Sequence, residues 1–314
     1  MRAAADRPVT GDGVRAASRR PAGYREEVLP TMPSLGRLYA QAVGRTRTLV
    51  MARNPAARGG LPPVVLRVDD VRPDVATLAE YQHLLDEPGT DRLPAGYVHV
   101  LAFPLAMAVM VREDFPLQVL GLVHLANTVE QLAPLDLGTR LTVRAWAQDA
   151  REHRKGAQVD LVVEASTGPA DTVVWRGVST YLATGRVPAG LPLAPALPEG
   201  ERGAPPAVPT ALWRLGPDVG RRYAEVSGDR NPIHVSRLGA RLFGFPRPIA
   251  HGMYTAARAL AAVPGRGDRF EWTATFGKPV LLPATVAFAA QGGTYTAWGL
   301  RSGKIHLTGA VRPL

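Results

Sequence analysis

Hydrophobic and polar positions form two similar series along the chain. In the first half, Asp74 to Leu85 has helical spacing, Val98 to Val111 is apolar on nearly every side, and several alternating runs follow. In the second half, Pro217 to Val226 and His251 to Val263 have helical spacing, and Arg269 to Phe276 alternates between polar and apolar residues. The repetition predicts two copies of one α+β unit, each with a buried helix and an antiparallel sheet.

The chain of 314 residues is long enough for two domains. Seven prolines and no periodicity between Arg186 and Pro209 predict a linker. The start of the chain is rich in Arg, Ala and Gly. The predicted division is a disordered tail over 1–28, a first repeat over 29–185, the linker over 186–209 and a second repeat over 210–314.

The two copies differ in one segment. Between Tyr223 and His251 the second copy has 27 residues, whereas the first has 17 between Tyr81 and His99. The additional residues include the run Asp-Arg-Asn-Pro-Ile-His and a short predicted helix that ends at Gly244. The chemistry-bearing side chains are therefore expected in the second repeat.

This segment can carry acid–base chemistry. Asn231 is a strong helix N-cap, and Pro232 fits the first helical position because it needs no N–H there. Asp229 and His234 then flank one small volume, where both could contact a single water molecule. A helix cap with a solvated Asp229 and an incidental His234 explains the same spacing, so the spacing alone leaves both interpretations open.

The next predicted helix begins at His251 without a Ser, Thr or Asp cap. Its first N–H groups therefore need an acceptor, and Gly252 would let a ligand approach the backbone closely. A carbonyl bound there would be polarised as in an oxyanion hole. We interpret His251 itself mainly as a residue that holds the turn.

The runs Ser-Gly-Asp-Arg-Asn-Pro-Ile-His, Gly-Phe and Ile-Ala-His-Gly-Met resemble the signature of the MaoC-like dehydratases, the (R)-specific or type-2 enoyl-CoA hydratases. The likeness covers about 100 residues of the second half. The first half is more weakly similar to the degenerate N-terminal repeat of double-hotdog members, through Phe115-Pro116, Gly121-Leu122-Val123-His124 and Asn127. The implied fold is a double hotdog of class α+β, in which an antiparallel sheet wraps a long central helix in each repeat.

The resemblance also implies a reaction and its residues. The reaction is reversible addition of water to a trans-2-enoyl thioester of CoA or acyl carrier protein. Asp229 and His234 would activate the water, Asn231 would orient them, and the Gly252 N–H would hold the thioester carbonyl. The expected substrate-binding residues are Ser227, Phe245, Arg247, His251 and Met253. The apolar segment Leu101 to Met110 of the first repeat is expected to line the acyl chain, although core packing explains it equally well.

The amino-acid composition limits the kinds of partner that the protein is expected to bind. The net charge of +10 comes almost wholly from Arg, which fits a compositional bias, phosphate-bearing ligands or an acidic partner. Scattered arginines and 6% aromatic residues disfavour nucleic acid. The absence of Cys excludes thiolate sites, and we expect neither a cofactor nor a metal. No apolar run is long enough to span a bilayer, and a cytoplasmic location is expected.

Two rival functions remain at this point. One is a hotdog thioesterase, and the other is a non-catalytic subunit that binds acyl thioesters or an acidic carrier. The other histidines, including His99, His124 and His306, have no acid partner at a suitable spacing, so we expect structural roles for them. Fusion of two repeats replaces a homodimer, and pairing of the fused unit with a second copy stays open.

Overall fold

The fold was analysed in a computed structural model. The structure describes residues 17–51, 60–185, 187–188, 190–196 and 203–314, and side chains are not described for residues 45–51. Within these residues no helix is long and apolar enough to cross a membrane.

Among the described residues, the first series of elements contains six strands and three helices. They are β1 (Arg25–Leu29), α1 (Leu35–Met51), β2 (Val64–Val71), α2 (Val75–Leu85), α3 (Ala95–Met110), β3 (Val123–Gln131), β4 (Leu141–His153), β5 (Gly156–Thr167) and β6 (Thr172–Thr184). The order agrees with the predicted succession of an amphipathic helix, a buried helix and a run of strands.

The second series contains five strands and four helices. They are β7 (Ala211–Leu215), α4 (Val219–Ser227), α5 (Pro232–Val235), α6 (Arg237–Leu242), α7 (Gly252–Ala261), β8 (Phe270–Phe276), β9 (Ala284–Gln291), β10 (Thr294–Gly299) and β11 (Ile305–Pro313). The alternation over 269–276 becomes strand β8, whose Phe270, Trp272 and Ala274 are buried.

The strands form one continuous sheet of eleven, in the order β1-β2-β4-β5-β6-β3-β8-β11-β10-β9-β7. The two series join where β3 pairs antiparallel with β8, from Ala126 opposite Thr275 to Gln131 opposite Phe270. All the neighbouring pairs are antiparallel except β1 and β2, which run parallel. The backbone ladder therefore passes without interruption from one repeat to the other.

The two long buried helices lie against each other at a small residue. A Cβ placed on Gly96 of α3 would clash with the Tyr81 hydroxyl of α2 and would be 3.1 Å from the Cβ of Ala257 of α7, so Gly at this position permits the close packing of α3 on α2 and α7. α3 is apolar nearly all round and most of its residues are buried, as its sequence predicted. Both helices contribute to one core that extends across the two series.

Two expectations require correction. Residues 17–28 of the predicted disordered tail are ordered in part. Arg25–Leu29 forms β1, and the Arg19 N–H donates to Glu164 Oε1 over 3.0 Å. Residues 1–16 of the predicted tail lie outside the described residues. The single short helix expected to end at Gly244 is two helices. Ser236 interrupts it with extended backbone angles (φ −136°, ψ 133°), because its side chain caps α6 by accepting the Gly239 N–H.

The predicted linker over 186–209 lies partly outside the described residues. Of the part that is described, Leu191 is buried, and Ala194 exchanges backbone hydrogen bonds with β4 through Ala150 and Glu152. This portion therefore packs along the first repeat.

Candidate active site

The loop between α4 and α5 presents Asp229. Gly228 ends α4 with left-handed backbone angles (φ 73°), which favour Gly and turn the chain sharply. The Asn231 N–H donates to Asp229 Oδ1 over 3.1 Å, and the hydroxyl of Tyr39 donates to the same oxygen. Tyr39 lies on α1, 190 positions earlier in the chain. One carboxylate oxygen is thus held from both repeats.

The charge state of Asp229 follows from these neighbours. Burial by itself would raise the pKa of Asp229, but positive charge on the His251 or His234 ring whenever it is protonated, and the hydrogen bonds from the Tyr39 hydroxyl and the Asn231 N–H, lower it below the ordinary value. Asp229 is therefore a carboxylate at neutral pH.

Asn231 and Pro232 begin α5 as the sequence predicted. The Asn231 side chain accepts the Ile233 N–H over 3.3 Å, and Pro232 occupies the start of the helix. This short helix places His234 in the interior, where its Nδ1 lies 2.9 Å from the carbonyl oxygen of Ile249.

The hydrogen bond to Ile249 determines the tautomer of His234. A carbonyl oxygen only accepts, so Nδ1 carries the hydrogen and Nε2 has the free lone pair. Burial, reinforced by the neighbouring His251, lowers the pKa of His234 to about 3. His234 is consequently neutral at physiological pH, with Nε2 as a hydrogen-bond acceptor.

His251 closes the other side of this cluster. Its Nε2 donates to the backbone carbonyl oxygen of Asp229 over 3.0 Å, which ties the loop to the start of α7. Its ring stacks on His234 with centroids 3.7 Å apart, and Tyr223 packs on it at 4.9 Å. Burial lowers the pKa of His251, so this ring is neutral as well. These contacts agree with a residue that holds the turn.

The first turn of α7 faces the same volume. His251 is the N-cap residue and makes no side-chain capping hydrogen bond. The first N–H groups of an α-helix have no partner within the helix, so that of Gly252 is available to a ligand. A Cβ on Gly252 would lie 3.0 Å from Cε1 of Phe276, which leaves no room for a larger residue unless that ring moves.

These groups line one end of a cavity of about 570 Å³. Both repeats supply its wall. The side chains contributed by the first repeat are Tyr39, His99, Val100, Phe103, Met107, Met110, Val119, Leu120, Leu122, Val123, His124, Tyr181 and Thr184. Away from the Asp229 end, the wall is largely apolar.

The structure brings nearly all the predicted site residues together. Those that line the cavity are Ser227, Asp229, Asn231, His234, Phe245, His251, Gly252 and Met253. Ser227 donates its hydroxyl to the Tyr223 carbonyl over 2.7 Å and accepts the Asp229 N–H, so it also supports the loop. Arg247 does not line the cavity; it is exposed on the loop that follows α6.

Several cavity residues were not predicted as site residues. Tyr39 gave no signal, because the position of α1 relative to the second repeat is a long-range property. His99, His124 and His306, expected to be structural, also line the wall. Burial lowers the pKa of His99 to about 4 and that of His124 to about 3, so both are neutral polar groups in the cavity wall.

A metal ion does not fit this cluster. Asp229, His234 and His251 each have one potential ligand atom within 4.8 Å of the others. A ligating imidazole holds a metal in the plane of its ring, at about 2.0–2.1 Å for zinc. The two rings are stacked with only 26° between their planes, so the planes do not meet near the nitrogens. One ion cannot lie in both planes.

Comparison with known proteins gives consistent matches. A family model described as the MaoC like domain matches residues 195–304. The chain is 38% identical over 274 residues to 3-hydroxyacyl-thioester dehydratase X of Mycobacterium tuberculosis, an alignment that covers 82% of this chain and 96% of that protein. It is 31% identical over 189 residues to 3-hydroxyacyl-thioester dehydratase Y of the same organism, covering 53% of this chain and 60% of that protein.

Solved structures agree with the sequence relatives. The crystal structure of HtdX of Mycobacterium tuberculosis matches with a TM-score of 0.69 and 35% identity, covering 80% of this chain and 100% of that chain. A MaoC-like dehydratase from Phytophthora capsici matches with a TM-score of 0.63 and 19% identity, covering 80% of this chain and 95% of that chain. At 19% identity, the likeness to the Phytophthora capsici structure concerns the fold alone.

Proposed function

We propose, from the premise that the chain belongs to the MaoC-like dehydratase family, that it interconverts (R)-3-hydroxyacyl thioesters and trans-2-enoyl thioesters. The family resemblance seen in residues 227–253 is confirmed, and so is the double-hotdog fold that it implied. The chain is a hydro-lyase, and its substrates are acyl thioesters. The stereochemistry, the residue roles and the carrier of the acyl group are proposals.

One observation carries the assignment of residue roles. The Asp229 carboxylate and the lone pair of His234 Nε2 lie at the same end of an apolar cavity as the N–H of Gly252. A carboxylate oxygen of Asp229 and a ring nitrogen of His234 lie within 4.8 Å of each other, so the two side chains are close enough for a single water molecule to contact both. That water would keep an oxygen lone pair free to attack.

The hydration steps follow from this arrangement. The water oxygen bonds to C3 of the enoyl group, and the π electrons of the C2–C3 double bond move onto the thioester oxygen. The water loses one proton to the Asp229–His234 pair. The enolate then returns its electrons to C2, which takes that proton from the pair. Dehydration is the reverse sequence, and addition from one side of the substrate is syn.

Gly252 would stabilise the charge that develops on the thioester oxygen. Its N–H lies at the positive end of the α7 dipole and is free of any side-chain cap. A donor fixed before the reaction needs no reorganisation when the oxyanion forms. The Phe276 ring lies 3.0 Å from the point where a Cβ on residue 252 would be, so it packs closely against this glycine.

The remaining site residues would act by position. Asn231 caps α5 and donates its backbone N–H to Asp229, so it sets the carboxylate relative to His234. Tyr39 would hold the same carboxylate from the opposite repeat. Phe103, Met107 and Met110, on the segment expected to line the acyl chain, lie in the cavity wall and would contact that chain.

The test is an assay of enoyl absorbance with crotonyl-CoA and longer trans-2-enoyl thioesters. We expect the absorbance to fall on hydration, with (R)-3-hydroxyacyl product identified by a stereospecific dehydrogenase. Asp229→Asn and His234→Ala should each reduce kcat at least about 100-fold, as loss of a general acid–base group does. Full activity in both variants would refute the assignment.

Assays on the same protein preparation distinguish the proposed dehydratase from the thioesterase and from the non-catalytic binding subunit. A thiol reagent detects the free thiol that a thioesterase would release, and we expect no release above background. A subunit that only binds acyl thioesters would show saturable binding without any change in absorbance. The Asp229–His234 pair distinguishes the proposed enzyme from such a subunit, because binding alone does not require an acid–base pair.

Two further expectations from the sequence stay predictions. Both walls of the cavity come from this chain, so pairing with a second copy is not needed to complete the site; sedimentation equilibrium would show whether it occurs. The cytoplasmic location would be checked by fractionation of cells that produce the protein.

A further inference from the structure

Helix α6 presents an unusual surface to solvent. Its buried side consists of Gly239 and Ala240, which pack on α5. Its exposed side consists of two adjacent ridges at i and i+4 spacing, Arg237 with Arg241 and Leu238 with Leu242. Leu238 is 70% exposed and Leu242 is 77% exposed. Large aliphatic side chains this exposed and this close together indicate a contact surface rather than incidental exposure.

Four of the arginines in this part of the chain form no ion pair with the described residues. Residues 230–267 contain six arginines and no carboxylate. Arg258 and Arg266 form ion pairs with Asp86 and Glu87 of the first repeat. The other four, Arg230, Arg237, Arg241 and Arg247, are exposed and form no ion pair with the described residues. Their positive charge is therefore available to a partner.

The surface adjoins residues of the cavity wall. Phe243 follows α6 directly, is 40% exposed and lines the cavity, as does Phe245. A group delivered into the cavity beside these rings would pass next to α6. A carrier molecule that holds the acyl group would therefore contact the exposed ridges while its acyl chain extends to Asp229.

From these observations we propose that α6, with Arg237, Leu238, Arg241 and Leu242, docks an acidic acyl carrier protein that inserts its thioester arm beside Phe243. The proposal rests on the proposed function, since it assigns the bearer of the thioester substrate. Unpaired arginines complement an acidic partner, and the leucine ridge would form the apolar centre that protein interfaces bury.

The apolar ridge favours a protein over coenzyme A. The phosphates of CoA need cations and hydrogen-bond donors, and the arginines alone would serve them. They would leave Leu238 and Leu242 in water. A partner helix with carboxylates beside apolar side chains would match both ridges together.

The experiment compares one acyl group on two bearers. The kcat/KM for crotonyl-acyl carrier protein and for crotonyl-CoA is measured for the wild type, for Arg237→Glu/Arg241→Glu and for Leu238→Ser/Leu242→Ser. We expect each double variant to lose about tenfold or more with the carrier protein, and less than about twofold with CoA. Wild-type activity with the carrier should also fall more steeply with ionic strength.

Two further variants distinguish the effect of the location of the arginines on α6 from the effect of their charge. Arg214→Glu/Arg269→Glu makes the same charge change in the same repeat at two exposed arginines that do not line the cavity, and it should keep carrier activity within about twofold. Arg237→Lys/Arg241→Lys should restore most carrier activity, because it restores the charge.

Equal losses on both bearers, no loss on the carrier, or no turnover of carrier thioesters would overturn the docking proposal. In each of these cases continued turnover of crotonyl-CoA would leave the proposed function standing. Failure of the wild type with both bearers would overturn the proposed function and the docking proposal with it.

Discussion

The Tyr39 hydroxyl is the contact whose removal tests the site most directly. Tyr39→Phe deletes one oxygen and leaves the ring, and so removes only the hydrogen bond to Asp229 Oδ1. Burial and the adjacent carboxylate raise the pKa of Tyr39, so the hydroxyl stays protonated and remains a donor at any working pH. Because this bond favours ionised Asp229, its loss should raise the pKa of Asp229.

The size of the effect follows from the charge on the acceptor. A hydrogen bond to a charged group contributes about 1.5–3 kcal/mol. This loss corresponds to a decrease of about 10- to 150-fold in the acid dissociation constant of Asp229, because 1.36 kcal/mol is a tenfold change. The acid limb of the pH–rate profile should move to higher pH, since Asp229 would then be protonated at pH values where the wild type is ionised.

The assay is the pH dependence of kcat/KM for crotonyl-CoA hydration. Tyr24→Phe is the matched control, because it deletes a hydroxyl that donates to the Ala147 carbonyl over 3.0 Å and does not line the cavity. Wild-type rates and an unchanged acid limb in Tyr39→Phe would refute the role of this hydroxyl.

Three further changes test the geometry elsewhere. Gly252→Ala keeps the backbone N–H but places a Cβ 3.0 Å from the Phe276 ring, so the ring or the backbone must shift and kcat for hydration should fall about 10- to 100-fold while circular dichroism stays unchanged. Wild-type kcat would show that the absence of a side chain at position 252 is not needed for the reaction. Ser236→Ala removes the cap that accepts the Gly239 N–H and should lower the free energy of unfolding by about 1 kcal/mol, measured by urea denaturation, whereas no change would mean that the cap is not stabilising. Phe103→Trp enlarges a residue of the cavity wall and should reduce kcat/KM for long enoyl thioesters more than for crotonyl-CoA, and equal effects on both would remove Phe103 from the acyl path.

Local patterns predicted the elements that depend on local forces. The apolar residues around all sides of 98–111 predicted a buried helix, and the clean alternation of 269–276 predicted a strand with one buried face. The Asn231-Pro232 pair predicted the start of α5, because N-capping involves residues only two or three positions apart. The predicted end of that helix at Gly244 was wrong, because Ser236 caps a new helix, α6, rather than continuing α5.

Contacts between the repeats could not be predicted from one sequence. Tyr39 reaches Asp229 across 190 positions, and Arg258 reaches Asp86 across 172, so no spacing rule connects them. His99 and His124 lack a local acid partner, and only the packing of the first repeat against the second brings them to the cavity. The sequence therefore predicted which residues would carry the chemistry, whereas the enclosure around them depended on the fold.

The β3–β8 junction has a consequence for the independence of the second repeat. The family model covers residues 195–304, which include the whole Asp229–His251 segment. This match suggests that residues 195–304 could be transferred to another protein as a separate domain. Excised, it would expose the hydrogen-bonding edge of β8 from Phe270 to Thr275 and lose the half of the cavity wall that carries Tyr39. An open strand edge invites pairing with other copies. The smallest unit that can be moved between proteins with its chemistry intact is thus the fused pair.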